Sequence, residues 1–147
     1  MKELKHENIV MLVGAIWNEN LICCVMEYVD GGNLKDRLTT KTDLTWPDSR
    51  FRYTIGIARG MAYLHNCVFF DSVTKSYTEG VIHRDLKCQN ILLTRSTDSV
   101  KIADFGESRV VTSEMTMTLT GTPFFMAPEV ARGDRYDSSC DVYRCVT

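Results

Sequence analysis

The chain has 147 residues, 44% of them hydrophobic and 24% charged, which is typical of a soluble globular domain and argues against global disorder. Its formal net charge of −2 favours neither nucleic acid nor a membrane surface as a partner. The most apolar stretch, residues 9–17, is far shorter than a membrane span, and the charged N-terminus lacks the apolar core of a secretory signal.

The cysteines contain no Cys-x-x-Cys pair, and their spacing matches no zinc-binding pattern. We therefore predict reduced thiols in a cytoplasmic protein, with several of them buried as small apolar side chains, in preference to a disulfide framework. The six residues concerned are Cys23, Cys24, Cys67, Cys88, Cys140 and Cys145.

Two short apolar runs, residues 11–17 and 21–26, flank a polar turn near the start of the chain. This arrangement predicts an antiparallel hairpin. A glycine pair then ends the second strand, and Asn33 can cap a short helix that extends to Leu38.

A longer helix is predicted to begin around Thr45, which can cap it, with Pro47 and Asp48 in the first turn. The helix should end near Asn66. Apolar residues at helical spacing predict a stripe that packs into the core. The stripe comprises Phe51, Ile55, Ala58, Met61 or Ala62, and Leu64.

The second half of the chain predicts shorter elements. Residues 67–80 resemble a surface loop, and residues 112–122, rich in Thr and Ser, predict a mobile loop. A turn is predicted at 95–99. Short strand signals lie at 81–82, 91–93 and 100–103.

Three motifs carry the chemical signal. Residues 83–90 read His-Arg-Asp-Leu-Lys-Cys-Gln-Asn, residues 104–106 read Asp-Phe-Gly, and residues 127–129 read Ala-Pro-Glu. Each tripeptide alone is weak evidence, but all three in this order, with strand signals beside the first two, are specific. With these motifs the sequence resembles the protein-kinase family, and the resemblance covers essentially the whole chain.

Other segments extend the resemblance. Residues 6–10 are similar to the segment after helix C, and residues 26–32 to the hinge. Lys87, the hinge and residues 121–129 resemble the Ser/Thr type, and within it the tyrosine-kinase-like group. The implied fold is α+β and protein-kinase-like, with residues 1–147 forming part of the small β lobe and most of the N-terminal part of the helical lobe.

The resemblance implies catalytic and metal-binding roles. Asp85 would orient the substrate hydroxyl and accept its proton, a task that suits an ionised carboxylate. Lys87 would steady the transferred phosphate, with Thr122 near Asp85 in the substrate platform. Asn90 and Asp104 would hold Mg²⁺, which takes few protein oxygens alongside phosphate oxygens. Outside this motif, a surface or capping carboxylate would be the better interpretation of Asp85.

The resemblance also implies an ATP site. Met26 would be the gatekeeper, Glu27 and Val29 would offer backbone groups to adenine, Leu92 would form the floor, and Asn33 would contact the ribose. For the apolar members core packing is a nearly equal alternative, because a nucleotide pocket is itself an apolar cleft.

Two residues are expected to support the site. Asp141 resembles the aspartate of the deep central helix that braces the catalytic loop. His83 is expected to be structural, with its ring packed under Phe105. A metal-ligand role for His83 is disfavoured, because no His or Cys lies at ligand spacing.

Residues 112–122 occupy the position of the activation loop. Thr116 and Thr118 are phosphosite candidates, and Arg84 could receive the phosphate in a bidentate manner. An unmodified polar loop is the equal alternative.

Several features depart from the family pattern. The glycine-rich loop, the strand-three lysine, the helix-C glutamate and the C-terminal helices have no counterpart in 1–147. Cys88 replaces a common proline, Glu107 replaces an apolar residue, and residues 144–147 depart from the usual continuation.

The sequence thus predicts an ATP- and Mg²⁺-dependent Ser/Thr protein kinase, transferring the γ-phosphoryl group to protein hydroxyls, with impaired activity in this chain alone. The alternative is a non-catalytic kinase-like binding or scaffold fragment. A partial gene model or a degraded gene is a third interpretation.

Overall fold

The computed structural model shows a mixed α+β architecture, in which the strands pair as two-stranded antiparallel sheets, as the sequence predicts. The chain divides into two compact units, the first comprising Met1–Gly60 and Ile91–Ala103, the second Met61–Asn90 and Asp104–Thr147. The structure describes residues 4–18, 21–40, 48–71, 75–110 and 122–146.

The elements follow one another in short segments. The strands are β1 (Leu12–Asn18), β2 (Leu21–Met26), β3 (Val68–Asp71), β4 (Ser76–Glu79), β5 (Val81–Ile82), β6 (Ile91–Thr94), β7 (Ser99–Ile102) and β8 (Arg109–Val110). The α-helices are α1 (Leu34–Thr40), α2 (Asp48–Asn66), α3 (Pro128–Arg132) and α4 (Ser139–Val146). Short 3₁₀ turns lie at Cys88–Asn90 and Pro123–Phe125.

The first unit begins with the predicted hairpin, in which β1 pairs antiparallel with β2. Helix α1 is capped as predicted, because Asn33 Oδ1 accepts a hydrogen bond of 2.9 Å from the Asp36 amide. The helix continues past Leu38 to Thr40. The predicted strands at 91–93 and 100–103 are also confirmed, as β6 and β7, and the structure pairs them antiparallel.

The core of the first unit forms where residues 8–10 run alongside β7. Val10 N donates to Ile102 O at 2.9 Å, and Ile102 N donates to Asn8 O at 2.8 Å. The Asn8 side chain donates a further bond of 2.8 Å to Val100 O. Ile9, Val100 and Ile102 are almost completely buried. Backbone hydrogen bonds and buried side chains therefore both hold residues 8–10 against β7.

Helix α2 ends at Asn66 as predicted, while the proposed cap Thr45 and Pro47 lie outside the described residues. The predicted apolar stripe is wrong in part, because Phe51, Ala58 and Ala62 are exposed and Ile55 is half-buried. The buried positions of α2 are Tyr53, Gly56, Gly60, Met61 and Leu64.

Two glycines explain why the buried face of α2 differs from the predicted apolar stripe. A Cβ atom at Gly60 would lie 2.7 Å from Ile102 Cδ1 and 3.0 Å from Asn8 O. A Cβ atom at Gly56, one turn earlier, would lie 2.6 Å from Val100 Cγ2. The buried face of α2 is therefore defined by glycines that let its backbone lie close to neighbouring residues. A search for apolar residues at helical spacing cannot detect such a face.

Gly60→Ala tests this packing. We expect it to lower the free energy of unfolding by about 1–3 kcal/mol, because the methyl group overpacks a closed contact with backbone. Urea unfolding of the chain measures the change. Gly14→Ala is the matched control, since its Cβ would meet nothing within 4 Å, and we expect a change within about 0.5 kcal/mol. An alanine at 60 as well tolerated as one at 14 would contradict the account.

The second unit contains a hairpin where a loop was predicted. Strands β3 and β4 pair antiparallel across residues 67–80, and the rings of Phe70 and Tyr77 lie 5.2 Å apart. The loop prediction is wrong because the β-forming residues on both sides outweigh the polar segment between them.

The core of the second unit gathers around Ile82 of β5, which pairs with β8. Its other members are Ala127, Val130, Tyr136 and Cys140, with Met126 packed against them. Gly133, in the left-handed region at φ 73°, ends α3, and its amide donates to Val130 O at 3.1 Å.

All six cysteines are free, as predicted, but burial was overestimated. Only Cys140 is buried, whereas Cys67 and Cys88 are half-buried and Cys23, Cys24 and Cys145 are exposed. Of the helices in the described ranges, none has both the length and the hydropathy to cross a bilayer.

Candidate active site

A buried carboxylate fixes the loop that carries the candidate catalytic residues. Asp141 of α4 is fully buried, and its oxygens accept hydrogen bonds of 2.8 Å from the backbone amides of His83 and Arg84. Its Oδ2 also lies 2.9 Å from His65 Nε2. The expected bracing role of Asp141 is confirmed, and these bonds hold Arg84 in the left-handed region at φ 65°, which costs a non-glycine residue about 1–2 kcal/mol.

The segment after Ala103 is tied to the same loop. The ring of His83 lies 5.3 Å from that of Phe105, so the structural role predicted for His83 is confirmed. Ser108 Oγ donates to His83 O at 3.2 Å, and Arg84 Nε donates to Glu107 O at 2.5 Å. Together with the β5–β8 pair, these contacts place the Asp-Phe-Gly segment beside the catalytic loop.

Asp85 lies at the centre of a compact polar cluster. Lys87 Nζ donates to Asp85 Oδ2 at 2.5 Å, and Thr122 donates to Asp85 Oδ1 through its amide at 3.1 Å and its hydroxyl at 2.9 Å. Lys87 Nζ also donates to Thr122 Oγ1 at 3.0 Å. The expected proximity of Thr122 to Asp85 is confirmed.

Asn90 joins this cluster from the 3₁₀ turn. Its Nδ2 group donates to Asp85 O at 2.9 Å and to Asp85 Oδ2 at 3.2 Å. The turn is closed by a bond of 2.9 Å from Asn90 N to Lys87 O. Because Nδ2 makes both donations to Asp85, Oδ1 is the amide atom suited to a cation.

The environment keeps Asp85 ionised. Burial raises the pKa of this carboxyl group, but hydrogen bonds from Lys87 and Thr122, with the charge of Lys87, outweigh burial and hold its pKa below the ordinary value. Asp85 is therefore an acceptor of hydrogen bonds at neutral pH.

Arg144 is a site residue that sequence reasoning missed. Its Nη1 lies 3.6 Å from Asp85 Oδ1, and its side chain is 1% exposed. The signal was present, because Arg144 follows Asp141 by three residues and so shares its helix face. Residues 144–147 depart from the family pattern, yet Arg144 places a second cation beside Asp85.

Asp104 is exposed and left-handed at φ 64°, and its Oδ1 accepts a bond of 3.4 Å from Gly106 N. Within the described part of the chain it forms no hydrogen bond to Asp85 or Asn90, and no three His, Cys, Asp or Glu residues cluster as metal ligands. One carboxylate and one amide oxygen nevertheless fit Mg²⁺, which takes its remaining ligands from phosphates and water.

The residues predicted to bind nucleotide all belong to the first unit. Glu27 N donates to Met11 O at 3.0 Å, so this amide is already used within the first unit. Its side chain accepts bonds from Met11 N at 2.7 Å and Lys101 Nζ at 2.8 Å. Burial raises the pKa of Glu27, but the Lys101 and Met11 bonds outweigh it and lower the pKa overall.

Backbone bonds align the hinge segment with β6. Gly31 N donates to Leu93 O at 2.8 Å, and an isolated bridge joins Asn33 to Leu92. Met26 is half exposed, and Val29 and Leu92 are half-buried. The Asn33 side chain bonds Asp36 through both its polar atoms, so it is committed to capping α1.

The proposed activation-loop phosphosites Thr116 and Thr118 lie outside the described residues. Arg84, their proposed receiver, donates to Glu107 O and, at 3.4 Å, to the Tyr136 hydroxyl.

Comparison with known proteins defines the class. A family model described as the protein kinase domain matches residues 1–146, so this chain belongs to the protein kinase domain family.

The curated relatives that the chain matches are named as serine/threonine-protein kinases. The chain is 40% identical over 163 residues to human ULK1, covering 100% of this chain and 14% of that protein. It is 36% identical to VIK of Arabidopsis thaliana, and the match covers 96% of this chain and 31% of VIK. It is 35% identical to STY46 of the same plant, and that match covers 97% of this chain and 23% of STY46. The chain thus spans less than a third of the length of these relatives.

Lys87→Met tests the electrostatics of the cluster. Loss of the ammonium should raise the pKa of Asp85, as read from a ¹³C carboxyl titration by NMR. The pKa of Asp85 is lower in the folded state than in the unfolded state. Ionised Asp85 therefore stabilises the fold fully above its unfolded-state pKa, and this stabilisation is lost as the pH falls through its folded-state pKa. The variant should therefore lose less stability on acidification than the parent. Lys35→Met, on an exposed position of α1, is the control; an unchanged Asp85 titration in Lys87→Met would refute the assignment.

Proposed function

We propose that this chain carries the phosphoryl-transfer site of a serine/threonine protein kinase of the tyrosine-kinase-like group. The site would move the γ-phosphoryl group of ATP to a Ser or Thr hydroxyl of a protein substrate. The observation that carries this proposal is the Asp85 cluster, in which one ionised carboxylate is held by Lys87, Asn90 and Thr122 on a braced loop.

In the proposed reaction Asp85 accepts a hydrogen bond from the substrate hydroxyl and so directs its oxygen toward the γ-phosphorus. The new oxygen–phosphorus bond forms as the bond to the β-phosphate oxygen breaks, ADP leaves, and the hydroxyl proton passes to Asp85. Because its pKa is lowered, Asp85 first orients the substrate hydroxyl. It accepts the proton late in the reaction, once the alcohol oxygen has lost most of its basicity.

Lys87 and Thr122 would support this step by where their side chains lie relative to Asp85. The Lys87 ammonium contacts both the Asp85 carboxylate and the Thr122 hydroxyl, so it brings a positive charge to the place where the transferred phosphoryl group would lie. Thr122 donates two hydrogen bonds to Asp85 Oδ1, which fixes the plane of the carboxylate.

Protein kinases generally use ATP with Mg²⁺. Here Asn90 Oδ1 and the Asp104 carboxylate would hold the ion, which neutralises phosphate charge when bound. Nucleotide recognition would use the carbonyl of Glu27, the backbone of Val29 and the side chains of Met26 and Leu92. Asn33 would reach the ribose only by giving up part of its bonding to Asp36.

We further propose that residues 1–147 represent part of a kinase domain, since the glycine-rich loop, strand-three lysine and helix-C glutamate have no counterpart in them. Activity of the chain alone should therefore be low. The free thiols support a cytoplasmic location.

Asp85→Asn tests the proposal in the protein that contains this sequence. Transfer of ³²P from [γ-³²P]ATP to a Ser/Thr substrate protein, with Mg²⁺, should fall by about a hundredfold or more, because the amide cannot accept the hydroxyl proton. Asp134→Asn, at an exposed carboxylate paired with Arg132, is the matched control and should keep parental activity.

Two outcomes would refute the proposal. Equal transfer by Asp85→Asn and the parent would remove Asp85 from the chemistry, and phosphotyrosine as the labelled product would exclude the Ser/Thr class. A thermal shift with Mg²⁺-ATP in the parent, without any transfer, would instead identify the non-catalytic binding module.

A further inference from the structure

The open end of the β1–β2 hairpin contains a side-chain contact to which the proposed reaction assigns no role. The register of the hairpin runs to the Leu12–Met26 pair, so Met11 and Glu27 would form the next pair. Glu27 N donates to Met11 O at 3.0 Å, and in a continued antiparallel ladder Met11 N would donate to Glu27 O in return. Met11 N instead donates to Glu27 Oε1 at 2.7 Å. The Glu27 side chain therefore accepts the bond that its own carbonyl would otherwise accept.

Lys101 holds the Glu27 side chain in this position. Its Nζ atom donates to the same Oε1 atom at 2.8 Å. The side chains of Lys101 and Glu27 are 18% and 25% exposed, so the pair is largely shielded from the solvent screening that weakens surface ion pairs. Burial raises the pKa of Glu27, but the bonds from Lys101 and Met11 lower it overall, so Glu27 is an anion at neutral pH.

Lys101 itself extends from a fixed strand. Its neighbours in β7, Val100 and Ile102, are fully buried, and Ile102 O accepts a bond of 2.9 Å from Val10 N. Because successive side chains of a strand point to opposite faces, Lys101 lies on the face opposite to this core. Its cross-strand partner on that face is Leu92, the residue proposed as the floor of the nucleotide pocket. The ammonium group is thus supported by the same sheet that would support the base.

We propose that Lys101 is a positioning residue for the nucleotide and sets its preference for a purine with an exocyclic amino group. It holds the Glu27 side chain against Met11 N, so that the Glu27 carbonyl stays outside the ladder and accepts the amino group. This inference rests on the proposed function, in which that carbonyl binds adenine. A fixed acceptor discriminates against a base that lacks the matching donor, because the acceptor is then left unpaired.

The effect of removing Lys101 follows from the same contacts. Without the ammonium group, the partly buried Glu27 carboxylate lacks its cation and is more stable when it turns toward water. Met11 N is then free to donate to Glu27 O and to continue the ladder. The carbonyl is thereby withdrawn from the base, while the other contacts of the nucleotide are kept.

The test compares two nucleotides that differ only in the amino group. They are ADP and purine riboside diphosphate, in which a hydrogen atom replaces the amino group of adenine. Dissociation constants of both, with Mg²⁺, are measured by titration calorimetry in the protein that contains this sequence. We expect the parent to prefer ADP. Lys101→Met should lose about three- to tenfold of this preference, the range that one uncharged hydrogen bond contributes.

Further variants separate the charge of the pair from its shape. Lys101→Arg keeps a cation and should restore the parental preference. Glu27→Gln keeps an oxygen for Met11 N but removes the charge that attracts Lys101, so part of the preference should be lost. It also carries the test if thermal melting shows that Lys101→Met does not fold. Lys35→Met, at an exposed position of α1, is the matched control and should bind both nucleotides as the parent does.

Three results would count against the inference. If the parent binds ADP and both Lys101→Met and Glu27→Gln keep its full preference, the inference is wrong and the proposed function stands. Equal weakening of both nucleotides also overturns the inference, because Lys101 would then support the fold and not the acceptor. A parent that binds neither nucleotide refutes the proposed nucleotide site, and the inference with it.

Discussion

The candidate site depends on one buried carboxylate. Asp141 accepts two adjacent backbone amides, those of His83 and Arg84, and so imposes the left-handed turn that presents Asp85. Without these acceptors one buried and one partly buried donor would lack partners, and the strained turn would relax. The positions of Lys87, Asn90 and Thr122 matter chemically only because Asp85 is held still.

A second constraint is electrostatic. Lys87 and Arg144 approach the two oxygens of the Asp85 carboxylate, and both cations are largely shielded from solvent. A buried carboxylate is costly unless it is paired, and here it is paired while remaining oriented by Thr122. The same arrangement that stabilises the fold thus keeps Asp85 ionised.

Features that depend on turn residues or short motifs could be predicted from the sequence. The β1–β2 hairpin, the Asn33 cap and the His83–Phe105 contact follow from turn residues or from motifs, and each was predicted. The β3–β4 hairpin was missed because its polar middle masked two β-forming runs. The buried face of α2 was misjudged because glycine contact leaves no apolar periodicity. Arg144 was missed although it shares a helix face with Asp141, because the carboxylate it approaches, Asp85, lies far along the chain.

The most direct test of the central claim is amide hydrogen exchange in Asp141→Asn. The amide side chain keeps the size of the residue but supplies one acceptor oxygen in place of two. Exchange at His83 and Arg84 should therefore accelerate by about tenfold or more, since a charge-assisted bond contributes about 1.5–3 kcal/mol. Asp137→Asn, whose exposed carboxylate accepts hydrogen bonds from Ser139, should leave both amides unchanged. Parental protection at His83 and Arg84 in Asp141→Asn would contradict the account.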